Sequence, residues 1–174
     1  MLDAAEIKST LTVAGVPTIS VETEGKLGTV IRVTPENRDA VIQYLRDSSL
    51  AFSQMLDIFG ADIEAKPAVE ADPEKGIEAQ PATVGYIEVT YHLRSMEHDT
   101  DVRIKMQLPY ASSYRSVIKL FLAALLSERE LCEMFGLTLL DHPNPKRLLT
   151  NPHFTTPLLK SVPIRGKEEV WNRK

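Results

Sequence analysis

Apolar residues recur at helical spacing at the start of the chain, with Leu2, Ile7, Leu11 and Ala14 on one stripe before Gly15, Val16 and Pro17. This predicts a short amphipathic helix stopped by glycine and proline. Residues 18–23 and 29–33 alternate β-branched and polar side chains around a turn at 25–28, the pattern of a half-buried hairpin. Thr34, Pro35 and Glu36 supply an N-cap, a proline at the first helical position and an acid facing the helix dipole. With Val41, Ile42 and Leu45 as its apolar face, a helix over 35–47 is expected.

Phe52, Met55, Leu56, Ile58 and Phe59 fit either period, and their neighbours favour a strand. Residues 64–83 turn to Ala, Glu, Pro and Lys, spaced by Pro67, Pro73 and Pro81, which predicts a solvated loop. Residues 84–93 and 102–108 alternate again and predict paired strands across the polar connection at 94–100. The sum is an α+β layer: a four- or five-stranded, mostly antiparallel sheet with helices on one face.

From Tyr114 the period is helical through Val117, Ile118, Phe121, Leu122 and Leu125, up to a second start at Ser127. Ser127 and Glu130 have capping-box spacing, Leu131, Met134 and Phe135 make a buried side, and Gly136 suits a left-handed exit. Prolines at 143, 145, 152, 157 and 163 then deny the chain a long helix or interior strand. The expected division is therefore a domain over 1–140 and an extended arm over 141–174.

Composition narrows the function classes. With 174 residues, 43% hydrophobic and 25% charged, one folded domain with a tail is the natural size. The formal net charge of −4 gives no footprint for nucleic acid. The arm alone has seven basic residues (Lys146, Arg147, Lys160, Arg165, Lys167, Arg173, Lys174) against Asp141, Glu168 and Glu169, so it carries +4 and the remainder −8. Leu148, Leu149, Phe154, Leu158, Leu159, Val162, Ile164 and Trp171 are interleaved with those charges. Such an arm is expected to lie on its own domain or on another protein. The single cysteine, Cys132, rules out an intrachain disulfide and any Cys-rich metal motif. The start of the chain lacks a signal-peptide pattern, and the longest apolar stretch, 117–126, is too short to span a bilayer, so a cytoplasmic address with membrane contact only through partners is expected.

Glu128, Arg129, Glu130, Leu131, Cys132, Glu133, Met134, Phe135 and Gly136 resemble the Glu-Arg-Glu, two variable positions, acid, Met-Phe-Gly signature of the NuoC-type, 30-kDa subunit of respiratory complex I. His142, Pro143, Asn144, Pro145, Lys146, Arg147, Leu148, Leu149 and Thr150 are similar to that family's next run of His-Pro, basic pair, aliphatic pair and Thr. Pro157, Leu158, Lys160 and Pro163 match a third segment, in which Thr156, Leu159 and Ser161 replace the family's His, Arg and Asp. Asp141 stands where the family has glycine.

The resemblance implies an α+β domain whose C-terminal arm wraps a neighbour, in a cofactor-free structural subunit at the cytoplasmic side of a membrane-bound redox complex. Its implied partners are a 49-kDa-type subunit, related to the large subunit of nickel-iron hydrogenases, and a 20-kDa-type iron-sulfur subunit. Iron-sulfur clusters, and a quinone or [NiFe] centre, are expected on those partners. The family also has members in F420-linked dehydrogenases and energy-converting hydrogenases, so the equivalent hydrogenase subunit is the alternative.

Sharper chemistry competes with plainer roles at several of these residues. Glu128 and Glu130 could be an acid and a base of a small hydrolase or reductase, but capping and ion pairing explain them and Arg129 more simply. Asp141, His142 and His153 could ligate a metal, yet their spacing fits no closed site, and a His142 that fixes a turn is the expectation. Cys132 is expected to be a packed thiol rather than a nucleophile. Tyr114, Arg115 and Lys119 could touch lipid or quinone, but core packing suffices. Lys146 and Arg147 suit an acidic groove on a partner, and a free-standing adaptor is the remaining rival.

Overall fold

The computed structural model describes residues 2–25, 28–68, 80–151 and 157–162. Helix α1 (Ala4–Val13) opens with a capping box that the apolar pattern did not foretell: the Glu6 amide donates to Asp3 Oδ1 (2.7 Å) and the Asp3 amide to Glu6 Oε2 (3.0 Å). Ile7 and Leu11 bury its apolar stripe, and Gly15 leaves the helix at φ 67°. Strands β1 (Ser20–Thr23) and β2 (Thr29–Val33) form the expected antiparallel hairpin.

Helix α2 (Arg38–Asp47) begins three residues later than the 35–47 expected from its proline. The Thr34 carbonyl accepts from the amides of both Asn37 (3.2 Å) and Arg38 (3.1 Å), so residues 34–37 make a turn ahead of the regular helix. Val41, Ile42 and Leu45 are buried as anticipated, and Arg38 occupies the same stripe.

Strands β3 (Gln54–Ile63), β4 (Tyr86–Ser95) and β5 (Thr100–Leu108) complete a sheet of order β1-β2-β5-β4-β3. All pairs are antiparallel except β2 with β5, which run parallel. In the 64–83 region Lys66 and Thr83 exchange backbone bonds (3.2 and 2.9 Å), and residues 69–79 lie outside the described residues. One sheet face is the core: Ile87, Val89, Tyr91 and Leu93 of β4 alternate inward with Val102, Ile104 and Met106 of β5, against Ile7, Val41, Ile42 and Leu131 from the helices. The other face is open and charged. There Arg32 pairs with Glu24 and Glu88, Lys105 lies 3.1 Å from Glu88, and Arg94 lies 2.8 Å from Asp101.

The stretch after β5 departs most from expectation. Tyr114 belongs to a short strand, β6 (Ser113–Arg115), that pairs in parallel with β7 (Thr138–Leu140). No helix fills 114–123. Successive turns, such as Phe121 N–H to Val117 O (2.9 Å), bring Val117, Phe121 and Ala124 inward at helical spacing without a continuous helix, and Leu122 stays 81% exposed. Helix α3 (Ala124–Phe135) then starts before Ser127, with Ala123 as its uncapped N-cap. The predicted capping box is therefore not formed: Ser127 lies inside the helix, where amides already have intrahelical partners. Gly136 closes α3 in the left-handed region (φ 68°, ψ 30°), as predicted.

Candidate functional site

Helix α3 carries most of the signature residues, and its neighbours give the three members of Glu128-Arg129-Glu130 different fates. Glu128 points inward and is fully buried. Its carboxylate accepts from the Val117 amide (2.8 Å) and the Ser116 hydroxyl, tying the turn after β6 to the helix. Burial pushes its pKa up, opposed by those two bonds and by the positive fields of Arg38 and His142.

Arg38 enters the same region from α2 with only 1% exposure. It donates to the Tyr91 hydroxyl (2.8 Å), the Arg115 carbonyl (2.7 Å) and Asp39, and its guanidinium lies over the rings of Tyr91 and Tyr114 at 5.4 and 5.6 Å. Burial opposes its charge, but Tyr91 and Asp39 outweigh that cost and the guanidinium stays ionised. Cys132 lies 3.5 Å from the Tyr114 hydroxyl, and burial raises its thiol to about 11. It is a packed thiol with little thiolate at neutral pH.

Arg129 faces the arm. Its Nε donates to the carbonyl of Lys146 (2.7 Å) and its Nη2 to that of Arg147 (2.9 Å). One turn on, Glu133 accepts from the amides of Leu148 (2.7 Å), Leu149 (2.9 Å) and Thr150 (2.6 Å) and from the Thr150 hydroxyl. Burial would raise this carboxyl, but the bonds from Thr150, Leu149 and Leu148 prevail and hold it at about 2. His142 fixes the root of the arm, with Nε2 against the Leu125 carbonyl (3.2 Å) and Nδ1 accepting from the Asn144 amide (3.1 Å), beside the exposed Pro143. Asp141 just before it adopts φ 61°, the left-handed conformation that a glycine takes most easily and aspartate tolerates.

Farther along, the Leu158 amide donates to the Met134 carbonyl (2.8 Å), and the Lys160 amide to Asp62 Oδ2 (2.8 Å). Asp62 also takes the Tyr110 hydroxyl (2.6 Å). Pro157 sits against Gly136, where an added Cβ would come within 3.0 Å of its ring. Phe135 and Leu131 instead cover Gly60 of β3, at which a Cβ would lie 2.6 Å from each side chain. Glu130, the third signature residue, is exposed and lines a groove beside β3.

The contacts of the domain with residues 146–150, 158 and 160 engage arm backbone or the Thr150 hydroxyl, while His142 and Pro157 contribute their rings. The side chains of Lys146, Arg147, Leu148, Leu149, Leu158 and Lys160 are consequently left outward or at the surface. Together with Leu122, Leu125, Leu126 and Leu140, this third of the chain shows seven exposed leucines among the described residues. A cleft of about 400 Å³ lies between α3 and residues 145–150, lined by Arg129, Cys132, Glu133 and Leu137 among others. Among the described residues no group of three His, Cys, Asp or Glu side chains could hold a metal, and no helix is long and apolar enough to cross a membrane. His153 falls outside the described residues, as do Phe154, Pro163 and residues 164–174.

Sequence reasoning singled out Glu128, Arg129 and His142, gave Glu133 only as the acid of the signature, and passed over Arg38 and Asp62. A signal for Arg38 existed: it stands at the i, i+3, i+4, i+7 stripe with Val41, Ile42 and Leu45. Asp62 and Tyr110 had none, since their meeting depends on how β3 and the chain after β5 are placed.

Comparison with known proteins matches residues 31–168 to the family described as "Respiratory-chain NADH dehydrogenase, 30 Kd subunit". The C-type subunit of NADH-quinone oxidoreductase from Wolbachia sp. subsp. Brugia malayi is 34% identical over 143 residues, covering 81% of this chain and 66% of that protein. Its counterpart from Methylobacterium sp. (strain 4-46) is 34% identical over 140 residues, covering 79% of this chain and 57% of its own length. The chain thus spans between half and two thirds of these relatives. A similar fold occurs in the structure of the membrane-bound sulfane sulfur reductase, an archaeal respiratory membrane complex, with a TM-score of 0.55, 20% identity, and coverage of 84% of this chain and 76% of that one.

Proposed function

This chain belongs to the family of the 30-kDa subunit of respiratory-chain NADH dehydrogenase, and on that premise we propose that it is a non-catalytic assembly subunit of a membrane-bound, complex I-like redox complex. It docks on the cytoplasmic side to a 49-kDa-type and a 20-kDa-type iron-sulfur subunit, which carry the redox cofactors. Holding those partners in register maintains the distances that electron transfer between them needs.

One observation carries this reading. Helix α3 secures residues 146–150 by their backbone, and the leucines and cations of that segment are turned outward. A monomer has no use for a rigid row of exposed leucines, whereas a protein interface needs apolar anchors with a polar rim. Lys119, Lys146 and Arg147 make that rim basic, which suits an acidic partner surface.

The test is purification of the tagged full chain from detergent-solubilised membranes of the cells that make it. The expected result is stoichiometric recovery of an iron-sulfur subunit and a hydrogenase-large-like subunit, with no metal bound to the chain after it is separated. Recovery of the chain alone, or turnover by the separated chain, overturns the reading.

A further inference from the structure

Glu130 differs from the other signature acids, Glu128 and Glu133, in making no hydrogen bond or ion pair among the described residues. It overlooks a groove of about 420 Å³ between α3 and β3, together with Asp57, Phe59, Met134, Phe135 and Leu158. Phe59, set opposite Thr90, turns to the open face of the sheet at the same edge and is 44% exposed.

The same strand ends the sheet. The order β1-β2-β5-β4-β3 leaves the outer side of β3 without a neighbouring strand among the described residues, so every second residue turns its N–H and C=O away from β4. Exposed edges are normally blunted by shortness, lysine or proline. The opposite edge, β1, has four residues. β3 has ten, with no lysine, arginine or proline, and its one irregularity lies near its start, between Met55 and Asp57. A long edge without those safeguards, with Met134 and Glu130 on its α3 side and Phe59 and Asp57 on its other face, has the form of a strand-accepting site.

We propose that a partner protein adds an extended segment to the β3 edge as a sixth strand, and that this segment carries apolar and basic side chains on both of its faces. Its main-chain groups pair with β3. On its α3 side, apolar side chains rest on Met134 and a cation meets Glu130; on its other face, apolar side chains rest on Phe59 and a cation meets Asp57. The site lies on the β3 side of α3, whereas the arm loop lies on the Arg129 and Glu133 side, so it is a second docking surface that goes beyond the arm contacts.

Photo-cross-linking residues placed at Phe59 and Ala61 of the full chain test this in the producing cells, with adducts mapped by mass spectrometry. The expected adducts fall on one partner segment, two residues apart, in a stretch that holds both apolar residues and Lys or Arg. Glu130→Lys should lower their yield at least tenfold with Tm unchanged, and Glu130→Asp should restore it. Adducts only to lipid or to a second copy of this chain overturn the proposal, as do adducts indifferent to Glu130→Lys. So does the absence of adducts while cross-linkers at Leu126 and Leu149 still trap partners, an outcome that leaves the arm-docking function standing.

Discussion

On the open face of the sheet Arg32, Lys105, Glu24 and Glu88 neutralise one another within reach of water, while under α3 Arg38 and Glu128 are charged groups with almost no exposure. The first group keeps part of its contact with water, with side chains 15–34% exposed, and each charge has more than one opposite partner close by. The second has lost its water and relies on hydroxyl, carbonyl and amide partners from three other segments, β4, β6 and the turn after it, with the Asp39 carboxylate beside Arg38 on α2. A charge of the first kind can be exchanged. A charge of the second kind holds the two halves of the fold together, because unpaired it would be a large penalty.

The comparison breaks first at Arg38. Arg38→Ala should cost about 3 kcal/mol or more in urea unfolding, since it leaves a cavity and strands the Tyr91 hydroxyl and the Arg115 carbonyl; a loss comparable with surface variants would mean the two faces do not differ. Next, Leu126→Asp combined with Leu149→Asp should reduce recovery of partner subunits at least tenfold while changing stability by no more than about 0.5 kcal/mol.

Glu133→Gln should act locally, speeding amide exchange at Leu148, Leu149 and Thr150 with little change in global unfolding. Glu133 also sets a pH window. Its folded value of about 2 lies below the ordinary 4.5, so the hold on the arm is complete above about pH 4.5 and is lost as pH falls toward 2. Exchange at those three amides, corrected for intrinsic rates, should rise across that interval. The smallest effect belongs to the open face: Arg32→Met should change stability by less than about 1 kcal/mol and leave assembly intact.

How far the sequence foretold this depends on the range over which each feature is decided. Helices α1 and α2 and four of the five strands of the main sheet follow local periods, as Leu11, Ile42 and the alternation in β4 and β5 disclosed, while β3 fits either period and is read from its neighbours. The parallel pairing of β2 with β5 sets Thr29 beside Val102, far away in the chain, and has no local mark. Strands β6 and β7 have three residues each, too few for a period. Residues 117–124 misled because successive turns can mimic the helical repeat, and Ser127 misled because tertiary contacts, not capping, place Glu128.

The candidate site divides in the same way. Gly136 and His142 do what their local chemistry suggested. Arg129 was expected to pair with a carboxylate, and the structure gives it two carbonyls of its own arm, a choice that depends on where residues 146 and 147 return. The expectation that the arm lies on a protein surface is met within the chain by residues 142–150, through bonds no spacing rule anticipates.

Arg129 and Glu133 reach carbonyls and amides, groups that nearly every amino acid presents at the same positions. The loop over 146–150 is therefore a cassette: the frame stays put whichever side chains it displays. Such a frame lets recognition diversify without renegotiating the fold, and it marks residues 146–149 as the place to begin if this subunit were to be re-addressed to a different assembly.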